Sequence, residues 1–364
     1  MLLFVTIVLL LIFMVFLFLH QPKFGKKSTG ERLERVQQSP HYKNGQFQNL
    51  SDTPDITDGA NYFTVLKEFL FDKSKRNKPD VTLPSKKTDL LHLAKDENIL
   101  VWFGHSSYFI QVDGKTILVD PVLSGSASPI RFTTRSFAGS DVYTPEDFPA
   151  IDYLIITHDH WDHLDYDTVS KLKSKIKKVI TGLGTGAHLQ HWGFSINDII
   201  EKDWNEYIQL ENGFSVNTTP GRHFSGRTFK RNGAMWMSFV LTTPSMKIFI
   251  GGDSGYDTHF KNIGDKHGPF DLAILECGQY NRYWKHIHMM PEEVVQAAID
   301  LKAAVLFPVH WAKFSLSLHA WDEPAIRVTT EAANKNLAII TPVIGEKIQL
   351  KHPAIMYHWW KNIG

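Results

Sequence analysis

Six consecutive residues, His158-Asp159-His160-Trp161-Asp162-His163, follow directly on Asp152-Tyr-Leu-Ile-Ile-Thr157, a short apolar run of strand type. On a tight loop after that strand, His158 and His160 can point one way while Asp162 and His163 turn another. One loop can then serve two adjacent metal ions. The chain has 18 His against 1 Cys. A lone Cys277 forms no intramolecular disulfide and builds no thiolate zinc site, so any metal is held by nitrogen and oxygen. Such a donor set suits Zn²⁺, and also Fe or Mn.

The rest of the composition narrows the setting. Among 364 residues, 39 Lys+Arg stand against 38 Asp+Glu, a formal charge of +1. That balance excludes a polybasic nucleic-acid binder and a highly charged disordered tail, and no nucleic-acid partner is expected. With 43% hydrophobic residues the chain can bury a sizeable core of one or two domains. Met1 to Leu19 carries no charged residue and only Thr6 as a polar one. At a helical rise it spans ~28 Å, close to a bilayer's hydrocarbon core, and is expected to be a single transmembrane anchor over residues 1–20. The alternative, a cleaved signal peptide, lacks its basic leading region and small-residue cleavage site. Lys23, Lys26, Lys27, Arg32 and Arg35 follow the apolar run, which places the body on the cytoplasmic side by the positive-inside rule. Residues 21–95, punctuated by Pro40, Asn44-Gly45, Pro54, Pro79 and Pro84, lack a sustained apolar period. They are expected to form an extended lead-in packed on the core.

Residues 96–364 form the expected catalytic domain. Ile99 to Phe103, Tyr108 to Val112 and Thr116 to Val119 are strand-type runs, the last two joined by Asp113-Gly114, so the body opens with an antiparallel sheet. Tyr166 to Lys177 has helical spacing. A second set of strands covers Tyr207 to Leu210, Phe214 to Thr218, Met235 to Thr242, Lys247 to Ile250 and Leu272 to Leu275. A helix opened by Pro291, Glu292 and Glu293 then leads to the strand Ala304 to Phe307. Two β-rich halves with helices outside predict an α/β fold, two sheets sandwiched between helical layers.

On these residues the chain resembles the metallo-β-lactamase superfamily, whose HxHxDH signature stands here as His158 to His163. The resemblance continues in order through His223 in Gly221-Arg-His-Phe-Ser-Gly-Arg227, Asp253 in Gly251-Gly-Asp-Ser-Gly-Tyr256 and His310 in Pro308-Val-His-Trp311. It implies a four-layer αββα sandwich and two Zn²⁺ per chain. His158, His160 and His223 would hold one ion, Asp162, His163 and His310 the other, and Asp253 would bridge them. Within the superfamily, Trp102 to about Gly345 resembles N-acyl-phosphatidylethanolamine phospholipase D and its bacterial relatives. Its marks are Trp102-Phe-Gly-His-Ser-Ser107, Ile117-Leu-Val-Asp-Pro121, Thr157 to Asp165, Gly252 to Tyr256 and His288-Met-Met-Pro-Glu-Glu293. The leading apolar segment departs from the family's animal members.

The resemblance implies a zinc-dependent hydrolase acting on a phospholipid, with Asp162, Asp253 and His288 carrying catalysis. His288 would orient a phosphate oxygen or protonate the leaving alkoxide. Two divalent cations against two carboxylates leave the site positive, which suits an anionic phosphodiester. The competing readings are a hydrolase of a soluble ester, lactone or cyclic or nucleotide phosphodiester, and a non-catalytic anchored binding protein. Several residues stay open at this level. Asp165 either receives an imidazole N–H or caps the following helix, Asp120 either supports a ligand or ends a strand, and His105 either serves the site or holds a loop. Gly182-Leu-Gly-Thr-Gly186 lacks the lysine of a phosphate cradle and is expected to be a turn before a short helix. Cys277 is expected to be buried. Trp359 and Trp360 either sit at a membrane interface or cover the fold's edge. A monomer and a homodimer are both open.

Overall fold

The computed structural model describes residues 1–351 and 358–363. The chain begins with α1 (Leu2–Leu19), none of whose residues is buried. It is long and apolar enough to cross a membrane by length and composition. The lead-in then holds α2 (Glu31–Gln38), the hairpin strands β1 (Tyr42–Lys43) and β2 (Gln46–Phe47), and α3 (Tyr62–Phe71). The expectation of an extended segment is corrected by these two helices. In α3 the Asn61 side chain accepts from the Thr64 N–H at 2.9 Å, a cap the apolar period did not reveal. The segment still covers the core, burying Val36, Phe47, Leu83 and Leu90.

Two seven-stranded mixed sheets form the body. The first uses β3 (Ile99–Trp102), β4 (Tyr108–Val112), β5 (Lys115–Val119), β6 (Ile151–Ile156), β7 (Ile176–Gly182) and β8 (Ile199–Lys202). Between them lie α4 (Tyr166–Leu172), after β6, and α5 (Gly186–His191), after β7. The second sheet uses β9 (Tyr207–Gln209), β10 (Ser215–Thr219), β11 (Ser238–Thr242), β12 (Lys247–Ile250), β13 (Leu272–Glu276), β14 (Val305–Val309) and β15 (Ala338–Ile339). Its helices are α6 (His259–His267), α7 (Pro291–Asp300) and α8 (Glu323–Asn334). Finally β16 (Lys347–Gln349) returns to pair antiparallel with β3.

Alternation along the strands makes the layers. Leu100 and Trp102 of β3 join one core with Phe239 and Ile248 of the other sheet, while Ile99 and Val101 join Val169, Leu172 and Leu189 from α4 and α5. Strands β3 to β7 of the first sheet are therefore apolar on both faces, and each such side chain contributes roughly 1.5–3 kcal/mol on burial. The expected helix over Tyr166 to Lys177 stops at Leu172, because Ile176–Gly182 pairs parallel with β6, Val179 opposite Leu154 and Ile180 opposite Ile155. That pairing is long-range and leaves no local period to read. Gly182 to Gly186 is a turn into α5, and the Glu201 carboxylate fills it, accepting from the Gly184 and Gly186 N–H groups at 2.9 and 3.0 Å. Trp359 and Trp360 are buried, with Trp359 stacked 5.4 Å from Trp311. They belong to the core rather than to a membrane interface. Cys277 is buried as expected.

Candidate metal centre

The loop after β6 delivers His158 to His163 to the end of the first sheet, and the loops after β10, β12 and β14 bring His223, Asp253 and His310 to meet them. The His158 Nε2, His160 Nδ1 and His223 Nε2 atoms converge, 3.0 Å and 3.2 Å apart along that chain. Those spacings are close to the edges of a tetrahedron whose nitrogens lie ~2.0–2.1 Å from a common ion. His163 and Asp162 gather with His310, Nε2 of His163 lying 3.6 Å and Nε2 of His310 4.0 Å from Asp162 Oδ2. Asp253 stands between the groups. Its Oδ2 is 3.1 Å from His163, 3.7 Å from His223 and 3.8 Å from His158, and its Oδ1 is 3.2 Å from His310 Nδ1. All seven residues singled out in the sequence thus meet in one place.

The ring orientations suit coordination. His223 Nδ1 donates to the Ile287 carbonyl at 2.8 Å, which leaves Nε2 with its lone pair facing the cluster. His163 Nδ1 lies 2.7 Å from Asp120 Oδ2. Asp120 also accepts from the Thr157 N–H at 2.9 Å and the Thr157 hydroxyl at 2.6 Å. Burial pushes His158, His223 and His310 well below the usual histidine range and His160 to about 4, so these imidazoles are neutral donors. Burial also raises Asp253, to about 6. It works the same way on Asp162, where His163 and His105 outweigh it and hold the carboxyl below its ordinary range. His163 moves the other way, because Asp253, Asp162 and Asp120 outweigh its burial and raise it well above the usual histidine range, so a divalent cation there would take the place of its proton.

The residues left open now divide. Asp120 orients His163 of the cluster. Asp165 is the N-cap of α4, taking the Asp167 N–H at 3.2 Å, the Ser124 N–H at 3.1 Å and the Thr168 hydroxyl, and among the described residues it pairs with no imidazole. His105 Nε2 lies 2.9 Å from Asp162 Oδ2. Its N–H donates to the Trp311 carbonyl and its own carbonyl accepts from the His310 N–H, so the residue both faces the site and ties two of its loops. His105 and His310 have φ of 54° and 72°, conformations costly for any residue but glycine and held here by those bonds. His288 is not a surface histidine. Its side chain is 12 % exposed, and it groups with His223 and Asp253.

Two contributors carry no mark in the sequence strong enough to single them out. Asn49, in the lead-in, brackets the His223 backbone, donating to its carbonyl at 2.8 Å and accepting its N–H at 3.1 Å. Only the approach of a distant segment shows this. Glu276, fully buried at the end of β13, accepts the Met289 N–H at 2.7 Å and turns Oε2 toward His288 Nδ1, 3.6 Å away. A charged residue ending an otherwise apolar strand was the available signal. Beside the cluster lies a cavity of about 310 Å³, with Phe224, Trp284, Ile287 and Leu316 as apolar walls and Arg231 and His288 as polar ones.

A family model described as a β-lactamase superfamily domain matches residues 115–311. The chain belongs to the metallo-β-lactamase superfamily. An uncharacterized protein of Mycobacterium tuberculosis is 35% identical over 339 residues, 89% of this chain and 88% of its own. The N-acyl-phosphatidylethanolamine-hydrolyzing phospholipase D 1 of Caenorhabditis elegans is 29% identical over 295 residues, 74% of this chain and 80% of its own. Among solved structures, a metallo hydrolase from Ignicoccus hospitalis superposes with a TM-score of 0.54 at 21% identity, over 69% of this chain and 97% of its own. That likeness is one of fold. The superfamily and the donor cluster together support a metal-dependent hydrolase.

Asp120→Asn is expected to keep the fold and to lower metal affinity or turnover by about 10–100-fold, since an amide cannot accept from His163 and Thr157 as the carboxylate does. Metal titration of the variant checks this, and unchanged affinity and turnover would remove Asp120 from the site.

Proposed function

We propose that this protein is a membrane-anchored phosphodiesterase of phospholipase D type, hydrolysing N-acyl-phosphatidylethanolamine or a related phospholipid to phosphatidic acid and an N-acylethanolamine. One observation carries the reading. The apolar helix is tied to the candidate metal loop by ring contacts: Phe18 of α1 packs on Phe24 at 5.1 Å and Phe24 packs on Trp161, inside the histidine motif, at 5.2 Å. The Pro22 carbonyl accepts from Trp192 Nε1 at 2.7 Å, and the Lys23 carbonyl accepts from Arg227 Nη2 at 2.8 Å. A helix so fixed, once in a bilayer, holds the site at the membrane surface, where a lipid substrate resides. The apolar walls of the neighbouring cavity suit acyl chains.

In this reading His158, His160 and His223 would hold one divalent ion and Asp162, His163 and His310 a second, with Asp253 placed between the two groups. Bound there, the pair supplies an activated water and neutralises phosphate charge. Asp253 joins the two halves of the donor set, and Asp162 belongs to the half with His163 and His310. His288, with Nδ1 turned to Glu276, offers its other nitrogen to the cavity that it lines. There it would take a proton from the attacking water and pass it to the ethanolamine oxygen as the phosphorus–oxygen bond breaks.

The test is mass spectrometry of products from detergent-solubilised, zinc-loaded protein mixed with phospholipids that include N-acyl-phosphatidylethanolamine. Phosphatidic acid and N-acylethanolamine are expected. Absence of lipid turnover in protein carrying two metals per chain would overturn the lipid reading and turn attention to soluble esters, lactones and phosphodiesters.

A further inference from the structure

A second cavity, of about 380 Å³, lies between the end of α1 and the body, outside the candidate metal centre. Leu19, Phe24, Leu33, Val36 and Tyr42 give it an apolar wall, while Lys26, Lys27 and Lys230 stand at its rim. Among the described residues none of these three lysines has a carboxylate within 4.0 Å. Lys27 and Lys230 face one another, and the Lys27 ammonium is pushed below the usual lysine range by partial burial and then by Lys230. Two cations held together without a counter-ion are costly unless an anion sits between them. The Ser28 hydroxyl, also in the lining, is buried and without a hydrogen-bond partner. The cavity's one carboxylate, Asp159, is already engaged, by the Gly226 N–H at 2.6 Å and His188 Nε2 at 3.2 Å. The Lys26 N–H donates to His188 Nδ1 at 2.9 Å, and Gly25, with φ of 74°, makes that approach feasible, since a Cβ there would fall 2.0 Å from the ring.

The surroundings point to a lipid. Phe229, next to Lys230, is 89% exposed and Phe132 is 73% exposed. The turn holding Phe132 is tied to the end of α1 through the Lys23 ammonium, which donates to the Pro129 carbonyl at 2.6 Å. Exposed aromatic rings and free lysines around the exit of an apolar helix match the boundary between acyl chains and headgroups. We propose that this cavity binds the phosphate headgroup of an anionic phospholipid, clamped by Lys27 and Lys230 with the Ser28 hydroxyl as donor and its glycerol end against Leu33 and Val36. The inference rests on the membrane reading of α1. Arg231 lines both this cavity and the one beside the metal cluster, so the bound headgroup borders the substrate space.

The test uses the full chain carrying Asp253→Asn, to silence turnover, in mild detergent, with native mass spectrometry reading retained phosphatidylglycerol against phosphatidylcholine of the same acyl chains. At least tenfold preference for phosphatidylglycerol is expected. Adding Lys27→Ala and Lys230→Ala should reduce it to within twofold, while Lys67→Ala with Lys78→Ala, on and beside α3, should leave it intact. Equal retention of the two lipids, or a preference that survives Lys27→Ala with Lys230→Ala, would overturn the proposal. Displacement of the lipid by millimolar inorganic phosphate or glycerol 3-phosphate would do so too, since the site would then take a free anion. Flotation of the same protein with vesicles separates the two ideas: a chain that does not float overturns the membrane reading itself, whereas one that floats without lipid preference overturns only this site.

Discussion

Asp253→Asn is expected to lose one of the two metals that the proposed centre would hold and to lower kcat by at least about 10³-fold, a barrier increase of about 4 kcal/mol. The reason is geometric and electrostatic together. Asp253 is the carboxylate that approaches both halves of the cluster, within 3.1 Å of His163 and 3.7 Å of His223. Asparagine keeps its shape and removes its charge. Two cations would then share the proposed centre with Asp162 as the remaining carboxylate among the seven donors, and their mutual repulsion would go uncompensated. The far-UV circular dichroism should not change. Two metals per chain together with more than a tenth of wild-type turnover would show that Asp253 does not join the two halves.

Arg227→Met is expected to lower stability by roughly 3–5 kcal/mol, the usual consequence of breaking a buried charged network, and Tm by about 5–10 °C. Arg227 is 4% exposed, and burial lowers its guanidinium to about 10, still charged at neutral pH. Its Nη1 donates to the carbonyls of Asp159 at 2.8 Å and Leu164 at 2.7 Å, both in the metal loop. Nη2 reaches the Lys23 carbonyl, and the plane lies 4.0 Å from the Trp161 ring. Methionine fills the volume and leaves these carbonyls without donors. Lysine cannot fork, so Arg227→Lys should fall between the two. Thermal unfolding of the metal-loaded protein reads the effect, and a Tm within 1 °C of wild type would mean that the loop stands without this residue.

Much of the site is legible in the amino-acid sequence alone. The histidine motif lies on one loop, and His223, Asp253 and His310 each end a segment whose strand character shows locally, so order along the chain is enough to select them. The Asp113-Gly114 turn and the apolar α1 segment are readable for the same reason. Residues whose role depends on what arrives from elsewhere are not. Asp120 and Asp165 look alike in the sequence, yet Asp120 orients His163 and Asp165 caps α4, because only the parallel pairing of β5 with β6 sets Asp120 beside Thr157. Glu276, Asn49 and the buried pair Trp359 and Trp360 tell the same story, and so does the strand hidden at the end of the expected Tyr166 to Lys177 helix. By itself the sequence determined the donor types, their order and the apolar anchor candidate, since these follow from spacing and composition. Only the tertiary structure decided which carboxylates support the donors, which rings are core and how the first helix meets the metal loop, because hydrogen bonds and packing between segments far apart in the chain exist only once the sheets have come together.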